Sequence, residues 1–181
     1  MNWKRLVLVG CALLLTLGAN LNVGWCISLE GDALDGNWSS ECIRRATMAA
    51  RLAAEEILPG KAVLPQVERR LSLSFRKPAE DVSELSHALL CRTPGVSLSD
   101  FVLVNGVTLG CVADGDILLD ELRSFVANQM PNAASYGSYS GDISIDPRYT
   151  RSGKETPFSD MVLLVSGMAP VFYVDAEGRM A

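Results

Sequence analysis

Histidine occurs once in the 181 residues, as His87, and this scarcity excludes more chemistry than any motif in the chain supports. Zinc proteases of the His-Glu-x-x-His kind and paired-histidine peptidoglycan hydrolases place at least two imidazoles on one metal, so neither fits. His87 lies in "ELSHALL", near the core-facing side of an expected helix, and reads as a structural or surface residue. Cysteine is also sparse: of five, Cys11 falls in an N-terminal apolar run, leaving Cys26, Cys42, Cys91 and Cys111 without any Cys-x-x-Cys pair. Zinc-ribbon and thioredoxin readings therefore fail. An oxidising compartment is compatible with a bridge such as Cys91 to Cys111, although spacing sets no connectivity; the preferred reading is four small buried apolar residues. Positive charge is in deficit, with a formal net charge of -5, which gives no electrostatic reason to bind nucleic acid or an anionic membrane surface.

Phosphate-cradling loops are absent, since neither Gly-x-Gly-x-x-Gly nor a Walker pattern occurs. "SFRK" (Ser74 to Lys77) has Ser-x-x-Lys spacing, but the serine sits on an expected strand and no Ser-Asp-Asn or Lys-Thr-Gly element accompanies it. "GSYSG" (Gly137 to Gly141) is no nucleophile elbow, because Tyr139 holds the central position. "DGD" (Asp114 to Asp116), near Asp120 and Glu121, offers hard oxygen ligands for a divalent cation, yet acids at a helix start are accounted for by capping and the dipole. "NWS" (Asn37 to Ser39) has the spacing of an N-glycosylation acceptor. No catalytic residue, metal or cofactor is expected.

What the chain does have begins at its N-terminus. Lys4 and Arg5 precede an uncharged apolar run, Leu6 to Ala19, the plan of a signal peptide. Leu17 in front of Ala19 makes a poor cleavage site, and apolar character resumes through "LNVGWCISL", so residues 1–27 are read as a signal peptide or an uncleaved anchor. Both versions place the remainder outside the cytoplasm, with membrane contact through this segment alone. About 150 residues then remain, enough for one domain or two small subdomains. We divide them into a linker with an Ala-rich helix, 28–60, and an α+β domain, 61–181.

"EGDALDGNWSS" reads as a polar loop, followed by a helix with Ile43, Ala46, Ala50, Ala53 and Ile57 on one face, Ser39 or Ser40 as cap and Pro59-Gly60 as stop. "RRLSLSFRKP" alternates as a strand, with Leu71, Leu73 and Phe75 expected in the core and Ser72 and Ser74 in water. A helix comes next with Val82, Leu85 and Leu89 inward. "DFVLVNGVTLGCV" is a hairpin: Asn105-Gly106 accepts the positive φ angles of a type I′ turn. It pairs Val104 with Val107, Leu103 with Thr108, Val102 with Leu109 and Phe101 with Gly110, whose missing side chain seats the Phe101 ring; a glycine in a strand also marks bulges.

Asp116 is expected to cap an amphipathic helix that presents Leu118, Leu119, Leu122, Phe125, Val126 and Met130 on one side. Residues 132–141 read as a loop, "DISID" as a strand, "PRYTRSGKET" as a second loop, "FSDMVLLVSG" as a helix and "PVFYVD" as the last strand. The fold class is α+β, with strand-helix-strand order in 69–131 repeated in 141–181, about the central hairpin near 101–112. Tyr136, Tyr139, Arg148, Tyr149 and Arg151 on the two loops are the candidate ligand contacts, since aromatics beside arginines suit glycans or peptides.

The run "VLVNGVTLGCVADGDILLDELRSFV" resembles V-[DN]-G-x-x-[VL]-G-x-V followed by a Leu-rich helix. In this it is similar to the non-catalytic N-terminal region of exported lysostaphin-type cell-wall endopeptidases of Gram-positive, clostridia-like bacteria. The likeness covers residues 102–126 in detail and about 48–175 in element order. That family's zinc-binding His-x-x-x-Asp and His-x-His motifs are not in this sequence, so no catalytic residue carries over. The resemblance implies an exported, non-enzymatic cell-envelope module (spacer, docking or wall-associated) with peptidoglycan or another envelope protein as partner. The alternatives are the N-terminal fragment of a peptidoglycan hydrolase, suggested by a second repeat that stops at "DAEG", and a small extracytoplasmic ligand-binding domain.

Overall fold

The computed structural model describes residues 21–132 and 134–180. These form an α+β structure with four helices and three small sheets, every strand pairing within the sheets being antiparallel. They fall into two compact units, one ending at Pro94 and one beginning at Gly95.

The first unit holds strands β1 (Asn22–Leu29), β2 (Asp32–Trp38) and β3 (Val67–Ser74), in the order β2-β1-β3, with helices α1 (Ser40–Ile57) and α2 (Val82–Cys91). The expected leader, residues 1–27, lies mostly outside the described residues, and its last part overlaps the first strand. Residues 22–29 are the central strand of this sheet, with Ile27 and Leu29 buried. A β-strand and the tail of an apolar leader look alike in composition, which is why the two merged in the sequence. "EGDALDGNWSS" is likewise no loop: Glu30 and Gly31, at φ 54° and 94°, make the two-residue turn into β2. Among the described residues no helix is long and apolar enough to cross a membrane.

Ser39 caps α1, its hydroxyl accepting from the Cys42 amide at 3.0 Å. The helix buries Cys42, Ile43, Ala46, Ala50 and Ala54, so its inner stripe is one of small residues that permits close packing against α2. Asp81 caps α2 by accepting from the Ser83 and Glu84 amides, and Leu85, Leu89 and Leu90 are buried. In β3 the strand is where the alternation placed it, but its faces are reversed. Leu71 and Leu73 are each 63% exposed and Phe75 is 65% exposed, whereas Ser72 and Ser74 are half-buried.

In the second unit, β4 (Val96–Val104) is the centre of the sheet β5-β4-β7, between β5 (Val107–Val112) and β7 (Ile143–Arg151). The short strands β6 (Tyr136–Tyr139) and β8 (Val171–Val174) pair separately, and α3 (Gly115–Gln129) and α4 (Phe158–Met168) complete the unit. Val102, Val104, Val112, Leu118, Leu122, Met161 and Val165 form its buried core.

The β4-β5 hairpin turns at Asn105-Gly106 with φ 51° and 79° as expected, and pairs Val104 with Val107 and Leu103 with Thr108. Beyond that a bulge at Leu109 shifts the register, so Val102 opposes Gly110 and Phe101 opposes Cys111. Gly110 is therefore no seat for Phe101. A Cβ there would stand 3.2 Å from Met161 Cε and 3.3 Å from Thr156 Oγ1, so the glycine admits α4 and the segment before it. Asp114, not Asp116, caps α3, accepting from the Asp116 and Ile117 amides.

β7 runs well past "DISID", through Pro147. As β7 is an edge strand, the missing proline N–H costs no ladder bond on its inner side. Neither strand-helix-strand run closes within one sheet: β3 and β4 belong to different sheets, as do β7 and β8. The expected repeat is thus an order of elements without a common pairing.

Candidate functional site

The second unit carries a groove of about 260 Å³ between α3 and β6. While α3 turns Leu118, Leu122 and Val126 inward, the side chains one step round the helix, Leu119, Arg123, Ala127 and Met130, form one wall. Gly137, Ser138 and Tyr139 of β6, with Ile143, form the other. Gly137 is required by close approach: a Cβ would lie 2.8 Å from both Tyr173 Cδ1 and Val126 Cγ1.

Tyr139 lines this groove, and its hydroxyl reaches Ser166 of α4, which is not among the lining residues. Its hydroxyl lies 3.4 Å from Ser166 Oγ, and Ser166 donates its own hydrogen to the Val162 carbonyl at 2.8 Å, so Tyr139 is the donor of this long bond. Burial pushes the Tyr139 hydroxyl pKa up, against the opposing effect of Ser166, and the ring stays a neutral phenol. The Tyr173 hydroxyl is buried with no hydrogen-bond partner among the described residues. Arg123, the charged residue lining the groove, is paired with Asp120 at 2.8 Å in an exposed bridge. Such a site suits an apolar or aromatic group with one polar end. Neither a nucleophile-base pair nor a metal constellation lines it.

The five candidate contacts do not come together. Tyr136 and Tyr139 sit on β6, and Arg148, Tyr149 and Arg151 on β7, so strands rather than the expected loops carry them. Tyr139 alone of the five lines the groove, whereas Tyr136 is exposed. Arg148 is paired with Asp146 at 2.6 Å and stands 5.4 Å over the Phe101 ring. Neighbouring strand residues point to opposite faces, so Tyr149 and Arg151 do not join Arg148 in one cluster. Of the helical wall, Leu119 and Met130 were singled out in the sequence only as part of the apolar face, and Arg123 was missed because the pattern draws attention to that face.

The other sequence candidates are also placed. Asp114 is occupied as a helix cap, and Asp100 Oδ2 accepts the Gly115 amide at 2.7 Å, so the "DGD" acids serve the start of α3. No group of three or more His, Cys, Asp or Glu side chains among the described residues is arranged to hold a metal. His87 is exposed rather than core-facing, with Nε2 3.6 Å from Cys91 Sγ one helical turn on. The side-chain amide of Asn37, the acceptor atom of a glycosylation site, is buried against Gly24, which closes it in the folded protein. All four described cysteines are free; Cys42 and Cys111 are buried as expected, but Cys26 and Cys91 are exposed. Compared with protein-family models, with curated proteins and with solved structures, the chain matches none.

Proposed function

We propose that the chain is an exported, non-enzymatic module of a bacterial cell envelope, serving as a spacer, docking or wall-associated domain. The observation that carries this reading is the charged-then-apolar leader, Lys4-Arg5 followed by Leu6 to Ala19, which addresses the rest of the chain to the extracytoplasmic side. The groove of α3 and β6 supplies the contact site, with Tyr139 and the apolar wall from Leu119 to Met130 meeting an envelope partner. Peptidoglycan fits through the stacking and hydrogen bonding that a partly buried tyrosine provides.

A second reading draws on "VLVNGVTLGCVADGDILLDELRSFV" and its likeness to lysostaphin-type endopeptidases: the module is then the N-terminal part of a peptidoglycan hydrolase and holds the enzyme at the wall. The wall-associated version of the first reading and the second reading both predict wall association, and retention of the full chain on purified sacculi tests them. Retention above a control protein, reduced by Tyr139→Ala, supports a wall contact through the groove. Retention at the control level eliminates the wall-associated versions and leaves the spacer. Cytoplasmic location of the chain in fractionated cells overturns the proposal.

A further inference from the structure

We infer that the bare end of the β1-β3 sheet face is a membrane-contact surface that lies against the anionic headgroups of the bilayer; this rests on the exported reading in its anchored version. Val23 opposes Leu73 and Trp25 opposes Leu71 across β1 and β3, and directly opposed residues share a face. On that face Ile27 and Leu29 are buried, while Val23 is 61% exposed and Leu71 and Leu73 are each 63% exposed. Phe75 comes next at 65%, held to the start of β1 by the Asn22 Nδ2 bond to its carbonyl at 3.5 Å. A strand with this alternation is composed for burial, and nothing among the described residues of its own unit covers it.

The charge around the strip and the course of the chain indicate the occupant. Although the whole chain is acidic, Arg69 alternates onto the face of Leu71 and Leu73, and Arg76 and Lys77 follow Phe75 at the end of the strand, while Arg70 and the carboxylate of Glu68 lie on the opposite face. Apolar side chains with long cationic ones beside them suit a headgroup boundary, where the stems snorkel and the charges meet phosphate. Trp25, pinned by its 2.6 Å bond to Ser40 Oγ, has the amphipathic character that favours the same depth. A second copy pairing along the β3 edge would bring Arg69 and Arg70 against their counterparts, an arrangement that opposes edge pairing.

The apolar run ends at Ala19 and β1 begins at Asn22. The three residue steps from Ala19 to Asn22 reach at most about 11 Å, so a leader retained in the membrane would keep this end of the sheet close to the bilayer surface. One weak apolar contact gives only reversible membrane binding, and a second signal beside an anchor fixes orientation.

The test uses the full chain in vesicles of phosphatidylethanolamine and phosphatidylglycerol, with the photoreactive residue p-benzoylphenylalanine placed at Leu73 or, as an equally apolar exposed control, at Val107. The expected result is lipid adducts at position 73 about tenfold above position 107. These fall by more than about tenfold when Arg69, Arg76 and Lys77 are all changed to Glu, each cation contributing near the surface. Equal lipid adducts at the two positions, or adducts to a second copy of the chain at position 73, overturn the inference while the floating vesicles still show an inserted leader. A chain that does not float with the vesicles overturns the anchored reading and the inference together.

Discussion

Asn105 and Asp142 hold each other through two hydrogen bonds: the Asn105 amide donates to the Asp142 carbonyl at 2.8 Å, and the Asp142 amide donates to Asn105 Oδ1 at 3.0 Å. The hairpin tip is thereby fixed to the residue that leads into β7, which is the other neighbour of β4. The turn of the hairpin is thus a fastening between three strands. Asn105→Gly keeps the φ of 51° accessible and removes the side-chain bond, a loss of about 1 kcal/mol. Asn105→Ala adds the strain of a left-handed backbone, about 1 kcal/mol more. Hydrogen exchange in residues 101–112 should rise in both variants and more in the alanine one; a glycine variant less protected than the alanine variant would contradict the assignment.

What the sequence disclosed tracks the range of the interactions involved. The Asn105-Gly106 turn and the Ser39 cap are local and were legible, although the cap of α3 is Asp114 rather than the expected Asp116. The bulge at Leu109 was legible only as one use of a glycine in a strand, because the register that fixes it is a matter of pairing between two strands. Alternation in β3 identified two faces, but which face is wet depends on whether anything packs on Leu71 and Leu73. For the site, Tyr139 was visible as an aromatic among small residues. Its wall was not recognised as one: Met130 was read as part of the helix's apolar face, and Arg123 becomes a neighbour of β6 only after α3 docks. The other four aromatic and basic candidates are near in sequence, but a strand divides such neighbours between two faces.

Two glycines of the second unit should respond to the same change in different degree. At Gly110 a new Cβ meets the flexible end of Met161 at 3.2 Å, which can turn away. At Gly115 it would stand 2.6 Å and 2.7 Å from Ile145 Cδ1 and Cγ2, and 3.0 Å from Asp100 Oδ2, the acceptor of the Gly115 amide. Gly110→Ala is expected to cost less than about 1 kcal/mol and Gly115→Ala about 2 to 3 kcal/mol, the cost of overpacking in a closed site. Urea denaturation of the two variants followed by tyrosine fluorescence ranks them, and the reverse order would show the start of α3 to be less closely packed.

Glu155 makes the second unit sensitive to acid. Its carboxylate accepts its own backbone amide and the hydroxyls of Ser97 and Ser99, at 2.9 Å and 3.0 Å, and these bonds hold its pKa below the usual value. A depressed carboxylate stabilises the fold above the unfolded-state pKa, about 4.3 for Glu, and this contribution is lost as pH falls through the folded-state value. Because the group is partly solvated, Glu155→Gln should cost less than about 1 kcal/mol at neutral pH. Stability curves of the variant and the parent should converge as pH falls from about 4.3 through the lower folded-state value. Parallel curves across that range would show that the serine contacts do not act on the charged form.

The four described cysteines should divide cleanly by reactivity, because alkylation requires both a thiolate and an approach path. Cys26 lies on the exposed side of β1 and Cys91 at the end of α2, both open to solvent. Cys42 is buried in the first turn of α1, where burial pushes its pKa up and the charge of Asp81 adds to the effect. Burial likewise raises Cys111, with Glu155 as the next cause, and its thiol donates to the Lys154 carbonyl at 3.7 Å. For these two, reaction must wait for local opening, whose cost multiplies the penalty of the raised pKa. Brief iodoacetamide treatment at pH 8 followed by peptide mass mapping should therefore label Cys26 and Cys91 at least about a hundredfold faster than Cys42 and Cys111, with the difference abolished in denaturant. Labelling of Cys42 as fast as Cys91 would mean that the start of α1 is not packed as described, and with it the hydrogen bond from Trp25 to Ser40.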